Sequence, residues 1–193
     1  IVHCHDWQAA LVPLYLRTCF QNTNVGRASA VLTIHNLRFQ GIYDRKMIQY
    51  WSGLPDYVFN KDCMIQNWLD ANMLKGGIAY CNKITTVSNT YAGEIQTEEY
   101  GEGLAAHLRY HNNKIRGIVN GIDTDNWNPA TDKLLTANYD TESAVENKKI
   151  NKKALQESLG LEVDDNKMVI GLISRLTNQK GLDLVNTVVP GIM

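Results

Sequence analysis

Four short runs of apolar and β-branched residues recur along this chain, separated by stretches patterned for helices. They are IVHC at 1–4, SAVLTI at 29–34, KITTVS at 83–88 and KIRGIVNG at 114–121. The alternation predicts a doubly wound parallel sheet, because neighbouring parallel strands can be joined only by a crossover of helical length. After the first run, WQAALVPLYLRTCF sets Ala10, Leu11, Leu14 and Leu16 on one face, with Asp6 as N-cap and Pro13 as the expected kink. Residues 46–80 read as mostly helical, WLDANMLKGGIAYC being the amphipathic part. Ser88 is placed to cap the helix NTYAGEIQ, and GLAAHLRYH reads as a further short helix. A fifth run, MVIGLIS at 168–174, is almost wholly apolar, as a parallel strand covered on both faces would be. Beyond Gly181, Leu182, Val185 and Val189 fall at helical spacing.

Residues 122–139 break the alternation with the turn-rich DTDNWNPATDK. The charged helix ESAVENKKINKKALQESLG follows, with Gly160 at its C′ position. The expected division is therefore a first Rossmann-like domain at 1–125, a linker at 126–140, and the start of a second Rossmann-like domain at 141–193. The chain opens on Ile1 in what reads as mid-strand and closes on Met193 in or just after a helix. It is expected to be a piece of something longer.

Composition excludes some classes. With 193 residues, 44% hydrophobic and 20% charged, the chain has the balance of a globular protein. A formal net charge of −1 gives no electrostatic case for nucleic acid or an anionic membrane surface. No run reaches the ~20 apolar residues of a membrane span, and no basic-then-apolar leader is read. Cys4, Cys19, Cys63 and Cys81 are widely spaced without a C-x-x-C pair. They read as reduced thiols in a cytosolic protein, although spacing alone leaves a single disulfide open.

Several residues stand where an α/β sheet binds ligands, at the carboxyl ends of its strands. Arg175 and Lys180 follow the fifth run, and two cations there suit a phosphate: an arginine fork holds two oxygens and a lysine adds a mobile charge. The plainer alternative is two solvated surface charges, with Asp183 as a partner. His35 and Asn36 end the second run, placed for a substrate contact or simply for a satisfied loop. His3 and His5 lie two apart on one strand face, and with Asp6 they suggest a metal site. No third ligand can be assigned, since His107 and His111 sit on a distant helix. Asp6 is thus better read as a cap or a sugar hydrogen-bonder. Asn120-Gly121 ends another run but is also a common turn pair. Lys75-Gly76-Gly77 lacks the spacing of a P-loop, and neither G-x-S-x-G nor G-x-G-x-x-G occurs.

Taken together, VHCHDWQAALVPLYL, LTIHNLRFQG, NMLKGGIAYCNKITTVSNTYAGEI, GIVNGIDTDNWNP and ISRLTNQKGLDLV resemble the bacterial glycogen synthase and plant starch synthase family, in its order and over nearly the whole chain. The resemblance implies a GT-B fold, in which two Rossmann-like domains face each other across a cleft. Present here would be the second half of the first domain and the opening β-α unit of the second. It implies a retaining transfer of glucose from ADP-glucose to the non-reducing end of an α-1,4-glucan. By the same resemblance Arg175 and Lys180 bind the donor diphosphate, doing what a divalent metal does in other glycosyltransferases, so no metal or other cofactor is implied. His35 is the active-site histidine beside the donor glucose, with Asn36 next to it, Asn120 near the sugar and Asp6 on the same rim. Gln8 departs from the family's usual histidine. The implied partners are ADP-glucose and the glucan, with no nucleic acid or membrane and no stated oligomer. The implied location is the bacterial cytoplasm, or a plastid in a plant. The family's K-x-G-G-L loop and its carboxyl-terminal glutamate motif are absent from the sequence, so this piece is expected to be inactive alone. A UDP-glucose enzyme of the sucrose synthase kind and a non-catalytic glucan-binding module are the alternative readings. Joint retention of His35, Arg175 and Lys180 weighs against the second.

Overall fold

The computed structural model describes residues 1–192, with the backbone alone for Asn178. Met193, expected in or just after the last helix, lies outside the described residues. The chain divides into two compact units, Ile1–Gly121 and Ile122–Met193.

In the first unit the apolar runs become β1 (Val2–His5), β2 (Ala30–Ile34), β5 (Lys83–Thr86) and β6 (Ile115–Gly117). They form one parallel sheet in the order β1-β2-β5-β6. The register explains why their alternating pattern folds this way. Cys4, Leu32, Ile84 and Ile115 align across the four strands, and all are buried. The adjacent line is His5, Thr33, Thr85 and Arg116, on the opposite face because successive side chains alternate. The buried face packs on α1 (Leu11–Arg17), α3 (Met73–Tyr80), α4 (Asn89–Glu94) and α5 (Ala105–Tyr110) through Leu16, Leu74, Ile78, Ile95 and Leu108. These crossover helices are what make the strands parallel. The fold is α/β with a parallel sheet, as the sequence predicts.

Helix α3 lies hard against the start of α1. A Cβ at Gly77 would come within 2.8 Å of the Ala10 carbonyl oxygen, closer than such atoms approach. The glycines after Lys75 thus serve helix packing. Pro13 is buried within the first turn of α1, where its missing N–H goes unmissed.

Four local expectations need correction. Residues 46–80 are helical only in α2 (Arg45–Ser52), α3 and a single 3-10 turn at Asp56–Val58. Gly53, with φ of 63°, ends α2, and Asp70–Asn72 forms β4, antiparallel to β3 (Ile42–Asp44). Asn72 then caps α3, its side chain accepting from the Lys75 N–H, so the helix cannot begin earlier. The expected strand over 114–121 is only Ile115–Gly117, since pairing with β5 ends at Thr86. Asp6 makes no capping bond; its carboxylate is used elsewhere. The run at 168–174 is not a strand. Among the described residues nothing lies alongside to pair with its backbone, and Ile170, Leu172 and Ile173 are exposed.

The second unit carries α6 (Ala144–Ser158) and α7 (Leu182–Ile192). Gly160, with φ of 65°, follows the end of α6 as the C′ glycine. The turn-rich stretch before α6 is tied to it by a reciprocal pair: the Ala137 N–H donates to Asn151 Oδ1 at 2.9 Å, and Asn151 Nδ2 donates to the Ala137 carbonyl at 2.7 Å.

Candidate active site

The ladder between β1 and β2 runs one bond past β1, the Asp6 N–H donating to the Thr33 carbonyl at 2.9 Å. The chain then turns sharply, and Asp6 adopts φ 53° and ψ −167°, a combination that costs a residue with a Cβ. The turn aims its carboxylate across to β2, where Oδ1 accepts the His35 N–H at 2.8 Å. Asp6 is half-buried, and what was read as a helix cap is an inter-strand clasp at the carboxyl edge of the sheet.

His35 heads a loop that is pinned at each step. Asn36 Oδ1 accepts the Arg38 N–H at 3.0 Å, closing an Asx turn. Leu37 is fully buried, and its N–H donates to the Tyr91 hydroxyl at 3.0 Å. Gln40 enters a buried amide cluster. Its Oε1 accepts from Asn72 Nδ2 at 2.6 Å, and its Nε2 donates to the Glu102 carbonyl at 2.8 Å. A buried amide must find such partners or lose ~1–3 kcal/mol, so the cluster fixes the far end of the loop against α3. The sequence offered no periodic signal for it.

Asp6, Trp7, Gln8, Asn36 and Phe39 line a depression of about 360 Å³ beside this clasp. Its walls combine aromatic surface with carboxylate and amide oxygens, a mixture suited to a sugar, which has apolar ring faces and a hydroxyl rim. A larger depression, about 560 Å³, is lined by Lys61, Lys75, His107 and Tyr110 among others. Its most buried cation is already committed: Lys75 Nζ donates to the Lys61 and Ile65 carbonyls at 2.6 and 2.7 Å. We place the site at the sheet edge.

Three of the residues singled out in sequence, Asp6, His35 and Asn36, thus meet at one point. Asn120 is exposed, three residues beyond β6. That strand is two places from β2 in the sheet, a lateral distance of about 10 Å. Arg175 and Lys180 belong to the second unit. The Arg175 carbonyl accepts the Thr177 N–H at 2.8 Å, and the Thr177 carbonyl accepts the Lys180 N–H at 3.0 Å. The turn this forms leads through Gly181 into α7, and both cations are exposed. Among the described residues neither is paired with a carboxylate, Asp183 included.

His5 has a partner that sequence reasoning did not assign. Its Nδ1 lies 3.0 Å from His35 Nε2, while His3 Nε2 lies 2.7 Å from Thr33 Oγ1. The contact follows from register: His5 pairs with Thr33, and His35 lies two residues past Thr33, so sequence spacing alone could not have found it. Among the described residues no group of three histidine, cysteine, aspartate or glutamate side chains is arranged to hold a metal ion. All four cysteines are free thiols, with Cys4, Cys63 and Cys81 buried and Cys19 exposed. Burial pushes the Cys63 and Cys81 thiols up to about 12.

Residues 1–110 match the family model described as the starch synthase catalytic domain. The chain is 50% identical to the glycogen synthase of Lachnospira eligens, over 96% of its own length and 39% of that protein. It is also 50% identical to the glycogen synthase of Thermotoga petrophila, over its whole length and 39% of that protein. Among solved structures it resembles the catalytic domain of starch synthase IV from Arabidopsis thaliana bound to ADP and acarbose. That match has a TM-score of 0.85 and 36% identity, over 97% of this chain and 38% of the other. The chain thus spans about two fifths of the length of these relatives.

Proposed function

Because this chain belongs to the starch synthase catalytic domain family, we propose that it is the central segment of a retaining glucosyltransferase. The enzyme moves glucose from ADP-glucose to the non-reducing end of an α-1,4-glucan, in the manner of the glycogen and starch synthases. The observation that carries this reading is the assembly of Asp6, His35 and Asn36 at the carboxyl edge of the sheet, beside a depression of mixed polar and aromatic lining. That edge is where open α/β sheets receive ligands.

The proposed roles follow from the chemistry. In the transfer the bond from the glucose anomeric carbon to the phosphate oxygen breaks, and a bond to the 4-hydroxyl oxygen of the glucan end forms. The hydroxyl proton leaves with the departing phosphate. Negative charge grows on ADP as the first bond lengthens. Arg175 and Lys180 are the groups to stabilise it, and they do so without a divalent metal. ADP, present in the plant relative, is the leaving group of this reaction. His35 and Asn36 meet the glucose and Asp6 holds the His35 backbone, while Asn120 contributes from the loop after β6. A bacterial cytoplasm, or a plastid, is the compartment that supplies both substrates.

Steady-state kinetics of the full-length protein carrying this sequence provide the test. ADP-glucose is expected to support turnover far better than UDP-glucose, with no loss in a metal chelator. His35→Ala is expected to lower kcat strongly and to move the ADP-glucose KM only modestly, the pattern of an interaction made mainly in the transition state. A wild-type kcat in His35→Ala would remove the residue from the site.

A further inference from the structure

We infer that His5 is the positioning residue of His35, a role that rests on the functional reading of His35 given above. Two separate bonds fix His35. Asp6 Oδ1 takes its backbone N–H at 2.8 Å, which sets where the residue leaves β2. His5 Nδ1 meets its ring at Nε2, 3.0 Å away, which sets how the imidazole is turned. The backbone bond alone would leave the ring free to rotate about its two side-chain torsions.

The support for His5 is itself layered. The His5 and His35 rings lie nearly parallel, with 25° between planes and 5.3 Å between centroids. On its other side His5 meets the His3 ring at 4.4 Å. His3 is tied through Nε2 to Thr33 Oγ1 at 2.7 Å, and Thr33 to Thr85 Oγ1 at 2.6 Å. Three imidazoles therefore rise in a row from a threonine pair on the polar sheet face to the site. Strand register alone produces this row. His3 and His5 share a face, His5 pairs with Thr33, and His35 lies two residues further on.

The bond between the rings has a chemical consequence. It needs one N–H and one bare nitrogen. Neutral rings so joined hold complementary tautomers, with the N–H on His5 Nδ1 or on His35 Nε2 but not on both. With Nε2 occupied, Nδ1 is the His35 atom left to meet a hydroxyl of the glucose. His5 thereby decides which nitrogen faces the sugar, without touching the sugar itself.

Two substitutions separate the bond from the stacking. Asparagine places an amide near the position of Nδ1 and can restore the bond. Phenylalanine keeps the aromatic stack and loses the bond. In the full-length protein, His5→Phe should lower kcat by roughly 10- to 100-fold, the scale of a reacting group misplaced by up to about an ångström. The ADP-glucose KM should change little, and His5→Asn should recover much of the rate. Nitrogen-15 spectra of the histidine rings in this chain, recorded with the rings neutral, give a readout independent of activity. The His35 tautomer ratio should shift away from wild type in His5→Phe, which loses the bond, and less in His5→Asn, which can restore it. An unchanged His35 tautomer ratio in His5→Phe would overturn the inference, as would a wild-type kcat in His5→Phe. If His5→Phe retains full rate while His35→Ala loses it, the positioning role falls and the functional reading stands. A wild-type kcat in His35→Ala removes both.

Discussion

Asp6 carries two opposed terms at one residue. Its backbone, with φ of 53°, stores ~1–3 kcal/mol of strain, while its carboxylate gains a charge-assisted bond to the His35 N–H worth ~1.5–3 kcal/mol. Glycine at this position removes both at once. Asp6→Gly should therefore leave the thermal midpoint of the chain within a few degrees of wild type and still depress kcat in the full-length protein. Asp6→Asn, which keeps an oxygen acceptor, should retain more of the rate. A midpoint that drops sharply in Asp6→Gly would show the carboxylate to be chiefly structural. Arg175 and Lys180 have no such dual burden, because both are exposed in a loop ahead of α7. Arg175→Ala should cost ~100- to 1,000-fold in kcat. Arg175→Lys should recover only part, since a point charge cannot reproduce the fork. Lys180→Ala should behave likewise, with Lys180→Gln giving no rescue. Melting curves of these variants should overlay wild type; early unfolding together with normal turnover of the folded fraction would make the pair structural.

Among the elements, α5 and α3 are joined by a histidine that burial keeps neutral. His107 Nε2 lies 3.1 Å from the Lys75 carbonyl, and at that spacing the ring nitrogen donates to it. Burial first, and the neighbouring His111 next, hold His107 down to about 4 from the ordinary 6.5. Burial and Lys114 do the same to His111. The unfolded chain binds these protons as pH falls through about 6.5, while the folded one resists until about 4. Stability is therefore full above 6.5, declines as pH drops toward 4, and levels off below. His107→Gln, which keeps an N–H donor but does not titrate, should flatten that decline in melting curves recorded between pH 7 and 4.5. An unchanged slope would place the acid sensitivity elsewhere. Elements also show where the sequence was readable. The four sheet strands announced themselves as apolar and β-branched runs between helical stretches, with Cys4, Leu32, Ile84 and Ile115 buried within them. The β3–β4 ladder did not, because its register pairs Tyr43 with Ala71 and Asp44 with Asp70, with no shared apolar period. The apolar run at 168–174 misled for the opposite reason: its pattern specifies a strand, but a strand is completed only by a neighbour.

Across the whole molecule, the candidate site was legible residue by residue but not in its connections. Asp6, His35 and Asn36 could be named from their places after strands. That Asp6 clasps His35, and that His5 touches it, depends on how β1 and β2 are registered, which emerges only when the sheet forms. The amide cluster of Gln40, Asn72 and Gln66 was invisible for the same reason, its members lying 32 and 6 residues apart along the chain. Glucosyl transfer onto a glucan is the claim on which the rest depends. Its most direct measurement is incubation of the full-length protein carrying this sequence with ADP-[¹⁴C]glucose and glycogen, followed by digestion of the polymer with β-amylase. The account predicts label in the polymer, released almost wholly as maltose, because each glucose has joined a non-reducing end in α-1,4 linkage. Label remaining in soluble donor or free glucose, with none entering polymer, would contradict it.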